Sequence, residues 1–347
     1  MTFSQLRSHN ASDFCSGTGD IFRTKSLYTI RRCEHDGLGT VVVKVFKRRI
    51  MICDCWDKDE NEGFEKMLKE AKQVKSITHK NIIQYYGVIK WYGFAGIVME
   101  LADCGNLDRL LRAKSKVPDI PWWLRQRLLF ELFQALRYLH NYSDTLSIAH
   151  GDVKSANILL TPQLIVKLTD FKAIRMSSTS DKKAPSKDRF RLNAIEVAKH
   201  QKFFDIYSAS QVACEIITRR FLKPTEFGYL TSLGQPITNL IQLESKHEFG
   251  TDANAASIFK ILKEVALECA RANVREKPDA ITVVGMLSKG ETNFYSLKKS
   301  GEAWSIAKQM SRFRSESDSR ESLDVIYTQS PVKPFKFVTA RYPREEN

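Results

Sequence analysis

Residues 148–171, from Ile148 to Phe171, read IAHGDVKSANILLTPQLIVKLTDF. They place His150, Asp152, Lys154 and Asn157 in the order H-x-D-x-K-x-x-N, then two short apolar runs with the pattern of a hairpin, then Asp170-Phe171. The stretch therefore combines a carboxylate able to receive a proton, a cation, and two further oxygen ligands suited to a hard divalent metal. Phosphoryl transfer from a nucleotide requires few parts beyond these. Each short piece is a weak signal; their order, with a hairpin of suitable length between them, is a strong one.

Upstream, LYTIRRC and TVVVKVF are β-branched runs joined by the turn-rich HDGLG, which predicts an antiparallel hairpin. Lys44 stands among Val41, Val42, Val43 and Val45. A lysine in so apolar a strand either snorkels to the surface or is held by a carboxylate. In NEGFEKMLKEAKQVKSI, Phe64, Met67, Leu68, Ala71, Val74 and Ile77 recur at helical spacing, and Glu70 on the edge of that stripe is a candidate partner. Nearer the start, Gly17-x-Gly19 can open a turn whose bare amides approach phosphate oxygens, with Phe22 where a third glycine would complete it.

HKNIIQYYGVIK and GFAGIVMEL read as two further strands, ADCGNLDRLL as a turn into a helix, and WWLRQRLLFELFQALRYLHNY as a long amphipathic helix. KAIRMSSTSDKKAPSKDRFRLNAIEV lacks a sustained apolar period and is expected to be a long surface loop. FFDIYSASQVACEIITRR returns to helical periodicity with Asp205 at its start, where an aspartate can serve as an N-cap. Two more helices follow, interrupted by REKP. Residues 1–15 are expected to be a loose leader and residues 289–347 a disordered, basic, Ser-rich tail.

The 347 residues are 43% hydrophobic and 27% charged, an ordinary composition with room for a sizeable core. No run of about eighteen uninterrupted apolar residues is present, so no transmembrane segment is expected. The seven cysteines are scattered; Cys53-x-Cys55 lacks the second pair a zinc site needs. Reduced thiols and a cytoplasmic setting are expected. The net charge of +14 is spread through amphipathic segments without aromatic–basic interleaving, which argues against a specific nucleic-acid function.

Together, the segments from about Gly17 to Leu287 resemble the protein kinase superfamily. HGDVKSANILL looks closest to its tyrosine-kinase-like branch, in particular the receptor-interacting and interleukin-receptor-associated groups. The resemblance implies an α+β, two-lobed kinase fold over residues 16–288. A small antiparallel β lobe with one helix would occupy about 16–100, and a larger, mostly helical lobe about 103–288. It further implies ATP with Mg2+ or Mn2+, and a protein substrate or signalling partner, with oligomeric state open. Asp152 would receive or orient the substrate hydroxyl proton, and Lys154 would neutralise charge on the γ-phosphate. Asn157 and Asp170 would bind the metal. Lys44 paired with Glu70 would hold the α- and β-phosphates beneath Gly17 and Gly19. Met99 would limit the depth of the adenine pocket, Glu100, Leu101 and Ala102 would meet adenine through their backbone, and Asp205 would anchor the catalytic loop.

Departures from the family pattern bear on activity. Gly151 replaces an arginine that pairs with a phosphorylated activation loop, and Lys172 replaces the glycine after Asp170-Phe171. Ala194-Ile195-Glu196 stands for A-P-E, and Lys277 for the arginine that pairs with that glutamate. Arg189 falls where a threonine usually bonds the catalytic aspartate and lysine. The retained charges favour an ATP-dependent serine/threonine kinase in intracellular signalling. The altered positions favour the alternative, a pseudokinase that binds nucleotide weakly or not at all and acts as a scaffold or switch.

Overall fold

The computed structural model describes residues 8–9, 21–24, 28–46, 74, 76–91, 94–113, 120–143, 146–171, 175–178, 194–232, 238–241, 253–271, 273, 276–289, 301 and 303–310. The chain divides into two compact units, with a boundary between Leu101 and Ala102; His79–Ile83 belongs to the second unit.

The first unit is a six-stranded sheet. Its strands are β1 (Ser8–His9), β2 (Ile21–Thr24), β3 (Tyr28–His35), β4 (Gly39–Phe46), β5 (Tyr85–Trp91) and β6 (Phe94–Glu100), in the order β1-β5-β6-β4-β3-β2. The expected hairpin is β3–β4, whose register runs from Tyr28 opposite Phe46 to His35 opposite Gly39. Alternation places Val41 and Val43 in a core with Val98, packed by Cys33, Leu38, Val45, Tyr86 and Ile89. Ser8–His9, within the stretch expected to be a loose leader, instead pairs parallel to Val88–Ile89. Two residues are too short a run for periodicity to reveal.

The second unit is mostly helical: α1 (Leu107–Arg112), α2 (Trp122–His140), α3 (Ala194–Thr218), α4 (Pro224–Ser232), α5 (Ala253–Ala270) and α6 (Ala280–Leu287). It also holds two short two-stranded sheets. One is the expected hairpin, β8 (Ile158–Leu160) with β9 (Val166–Leu168); the other pairs β7 (Leu146–Ala149) with β10 (Arg175–Ser178). β10 lies in the stretch expected to be a loop. Its RMSS sequence has no apolar alternation, and its pairing comes from a backbone ladder with a distant segment.

α2 is the hub of this unit, and its buried polar side chains bond to its neighbours. Arg125 is 1% exposed, donating from Nε to Ile120 O at 2.9 Å and from Nη1 to Ile217 O at 2.7 Å, with its guanidinium over Trp122. Gln126 donates to Leu287 O, Arg127 to Gln163 O and Leu164 O, and Glu131 accepts from Val166 N. One helix thereby ties down the end of α3, the end of α6 and the β8–β9 hairpin, because buried polar groups need partners.

Residues 303–310, within the expected disordered tail, are helical. Ala303, Ile306, Ala307 and Met310 are buried, and Cys104 Sγ donates to Ala307 O at 3.8 Å. The spacing 303, 306, 307, 310 is a helical stripe hidden by low average apolar density.

Candidate active site

The loop leaving β7 is shaped by Asp205. This side chain is 1% exposed and lies inside α3, not at its start as an N-cap, because α3 begins at Ala194. Its Oδ2 accepts from His150 N at 2.8 Å and from His140 Nε2 at 2.9 Å, and its Oδ1 accepts from Gly151 N at 2.8 Å. The carboxylate thereby satisfies two successive loop amides that no strand or helix could pair. Gly151 has φ of 78°, in the left-handed region, so the position that lacks arginine also has the backbone geometry glycine adopts most readily.

His150 is the second organiser. Fully buried, its Nε2 donates to Thr169 O at 3.0 Å and its Nδ1 accepts from Asp152 N at 3.2 Å, which requires the neutral Nε2–H tautomer. Burial lowers its pKa, against the opposing carboxylates of Asp205, Asp152 and Asp170. Its ring lies 4.7 Å from that of Phe171, which is completely buried. Thr169 N in turn donates to Asn157 O at 3.0 Å, so the residue preceding Asp170 is bonded to both ends of the catalytic stretch. Asp170 itself has φ of 65°.

Within this frame Lys154 Nζ reaches both carboxylate oxygens of Asp152, at 3.0 and 2.8 Å. Asn157 Nδ2 donates to Asp152 O at 2.9 Å and to Asp152 Oδ2 at 3.0 Å. With the amide nitrogen turned toward Asp152, the Asn157 carbonyl oxygen points away from it. That orientation fits a hard cation, as does the carboxylate chemistry of Asp170. Among the described residues no cluster of three or more His, Cys, Asp or Glu side chains exists to form an all-protein metal cage. A two-ligand magnesium site completed by phosphate oxygens and water is consistent with that.

Sequence reasoning missed three supports. Asn106 caps α1 by accepting from Arg109 N at 3.0 Å and also donates to Ala156 O at 3.3 Å. Its position before LDRLL signals the cap but not the second bond. Glu215 is 2% exposed, hydrogen-bonded to Ser155 and accepting from Leu222 N at 3.1 Å. His140, the partner of Asp205, carries no sequence signal beyond ending a helix.

In the first unit, Lys44 Nζ lies 4.5 Å from the centre of the Tyr28 ring. Met99 is 8% exposed and opposite Val42. Glu100 N donates to Gln84 O at 2.9 Å and its Oε2 accepts from Gln84 N at 3.1 Å, so the Glu100 amide is engaged by the residue that precedes β5. Leu101 is half-buried, and Ala102, 7% exposed, begins the second unit. Gly17, Gly19, Glu70, Lys172 and Arg189 lie outside the described residues, as do the side chains of Phe22, Ile195 and Glu196. Lys277, expected near Glu196, has its ammonium 4.5 Å from the centre of the Tyr207 ring.

The protein kinase domain model matches residues 31–312. The chain belongs to the protein kinase family. It is 31% identical over 191 residues to receptor-interacting serine/threonine-protein kinase 2 of Bos taurus, covering 50% of this chain and 35% of that protein. It is 31% identical over 183 residues to the probable serine/threonine-protein kinase kinX of Dictyostelium discoideum, covering 51% of this chain and 16% of that protein. Guanylyl cyclase C of Sus scrofa is 26% identical over 219 residues, covering 62% of this chain and 18% of that protein. The chain thus spans about a third or less of these three relatives. The α+β class holds for this kinase domain: among the described residues the six-stranded sheet lies in the first unit and the helices α1 to α6 in the second. ATP and a divalent metal are the family's general requirements. Among the described residues no helix is long and apolar enough to cross a membrane.

Proposed function

We propose that this chain is an ATP-dependent protein serine/threonine kinase of intracellular signalling. The observation that carries the reading is the Asp152 carboxylate, which is bonded by Lys154 and Asn157. Asp152 orients a substrate hydroxyl and takes its proton. Lys154, bridging from Asp152, offsets charge on the transferred phosphoryl group. The Asn157 carbonyl and Asp170 would hold magnesium, which would supply positive charge to offset that of the phosphate oxygens. Lys44 is assigned to the nucleotide's phosphates by its place in the family pattern, together with Glu70 and the glycines Gly17 and Gly19. Met99 is assigned to the adenine site. Glu100, Leu101 and Ala102 are assigned to backbone contacts there, although the Glu100 amide is bonded to Gln84 O. A cytoplasmic setting is supported by the buried, free thiols of Cys104, Cys214 and Cys269.

The test is intact-mass measurement of autophosphorylation with ATP and magnesium or manganese, comparing wild type with Asp152→Asn. An ATP-dependent mass increase in the wild type and none in the variant is expected. Nucleotide-induced thermal stabilisation without any mass increase would overturn catalysis and identify a nucleotide-responsive switch.

A further inference from the structure

The second unit carries a cavity of about 390 Å³ lined by His79, Gln134, Arg137, Tyr138, Asn141 and Ile281. Its wall is built on rigid supports. The segment carrying His79 is anchored to β9, with Asn81 Nδ2 donating to Val166 O at 3.1 Å, Leu168 N to Asn81 O at 2.9 Å and Ile83 N to Leu168 O at 3.0 Å. The His79 ring stacks on Tyr138 at 4.8 Å, and Tyr138 meets Tyr142 edge-on at 5.8 Å.

The polar groups lining the cavity include two N–H donors of fixed chemistry, while Asn141 spends its amide nitrogen on Arg137 O at 2.9 Å. His79 Nδ1 accepts from Asn81 N at 3.1 Å, which leaves the proton of the neutral ring on the opposite nitrogen, Nε2. Arg137 is exposed and adds a guanidinium from the last turn of α2. Gln134, one turn earlier, adds an amide, and no carboxylate is among the described residues that line the cavity. Independent of this geometry, His79 has its pKa lowered to about 4 by burial and then by the charges of Lys80, Arg137 and Lys167. The three cations add to the effect of burial, so the charges around the ring are positive in sign. A planar guanidinium fork and a ring N–H lining one pocket suit tetrahedral oxyanions.

We propose that this pocket binds a phosphate group, either as a free small phosphate or on a phosphorylated side chain. Arg137 supplies the bidentate contact, His79 the Nε2–H donor, and Lys80 and Lys167 the surrounding field. The site draws on none of the residues assigned to phosphoryl transfer, so it stands whether or not the kinase is active.

The test follows the His79 ring resonances by NMR, assigned with His79→Gln, while inorganic phosphate is titrated into the protein carrying Lys44→Met to suppress nucleotide-site binding. A saturable shift, with His79's pKa rising in the bound state, is expected. Arg137→Gln, at an exposed position, should keep the fold and weaken binding at least tenfold, the scale on which a lost charge-assisted bond reads out. Fluorescence titration with a phosphoserine peptide and its unphosphorylated form separates the sources. Tighter binding of the phosphopeptide than of phosphate assigns a protein ligand, and equal binding assigns a free phosphate. Unmoved His79 resonances up to ~10 mM phosphate, beyond the weak end of specific affinity, would overturn the proposal. So would equal binding to the Arg137→Gln protein.

Discussion

Asp205 holds His150 twice over, directly through the His150 amide at 2.8 Å and indirectly through the Gly151 amide that follows it, also at 2.8 Å. One buried carboxylate on α3 thus sets the path of the catalytic loop. Asp205→Asn turns an amide NH2 toward one of three donors and removes the charge. A loss of about 2–4 kcal/mol is expected, from charge-assisted bonds lost and a buried donor left unpaired. Urea denaturation measures it, and a loss below the level of an ordinary surface substitution would contradict the anchoring role.

Gly151 occupies the left-handed region at φ 78°. Restoring the family's arginine with Gly151→Arg places a Cβ in that conformation, at a cost of roughly 1–2 kcal/mol. The urea midpoint should fall with the slope unchanged. An unchanged midpoint would mean the loop readily adopts another backbone path.

Glu215 has its pKa raised by burial, against hydrogen bonds from Ser155 and the Leu222 amide. A carboxyl whose folded pKa exceeds its unfolded value of about 4.5 contributes stability that is present below that pH and is lost as pH rises through the folded pKa. Glu215→Gln removes the titration and keeps an acceptor for Leu222. Its melting temperature should therefore gain on the wild type as pH rises from 5 to 8. Parallel melting curves across that range would refute the raised pKa.

The buried thiols among the described residues should be inert. Burial pushes Cys33 up to about 11 and Cys214 up to about 12, and raises Cys269 further. Because the thiolate is the nucleophile, iodoacetamide at pH 8 should leave Cys104, Cys214 and Cys269 unlabelled in the folded protein and label them in denaturant. Peptide mapping by mass spectrometry reads this out.

A Cβ at Gly96 would stand 3.0 Å from Lys44 O, 3.1 Å from Val43 Cγ1 and 3.3 Å from Ile89 Cγ2. The strand bearing Lys44 therefore needs a glycine beside it. Gly96→Ala should cost about 1–3 kcal/mol by overpacking. It should also weaken ATP-induced thermal stabilisation, and an unaltered response to ATP would separate the strand's packing from the role of Lys44.

The kinase fold was legible in HGDVKSANILL and its downstream Asp170 because that chemistry concentrates in one contiguous stretch. The β3–β4 hairpin, the β8–β9 hairpin and α2 follow from periods of 2 and 3.6 residues, which are local properties of the chain. The tertiary structure alone decided the contacts that hold the loop. Asp205 allows a helix cap by its local position and a loop anchor by the family pattern; the structure decides for the anchor, because α3 starts earlier and carries the carboxylate to His150, 55 positions away in the chain. Asn106, His140 and Glu215 support the loop across similar separations, as β10 does for β7, through hydrogen bonds whose partners no local pattern records. Sequence by itself determined which charges this protein holds in its catalytic loop. Their positions were decided by buried backbone amides that had to find acceptors, and the folded chain offered Asp205.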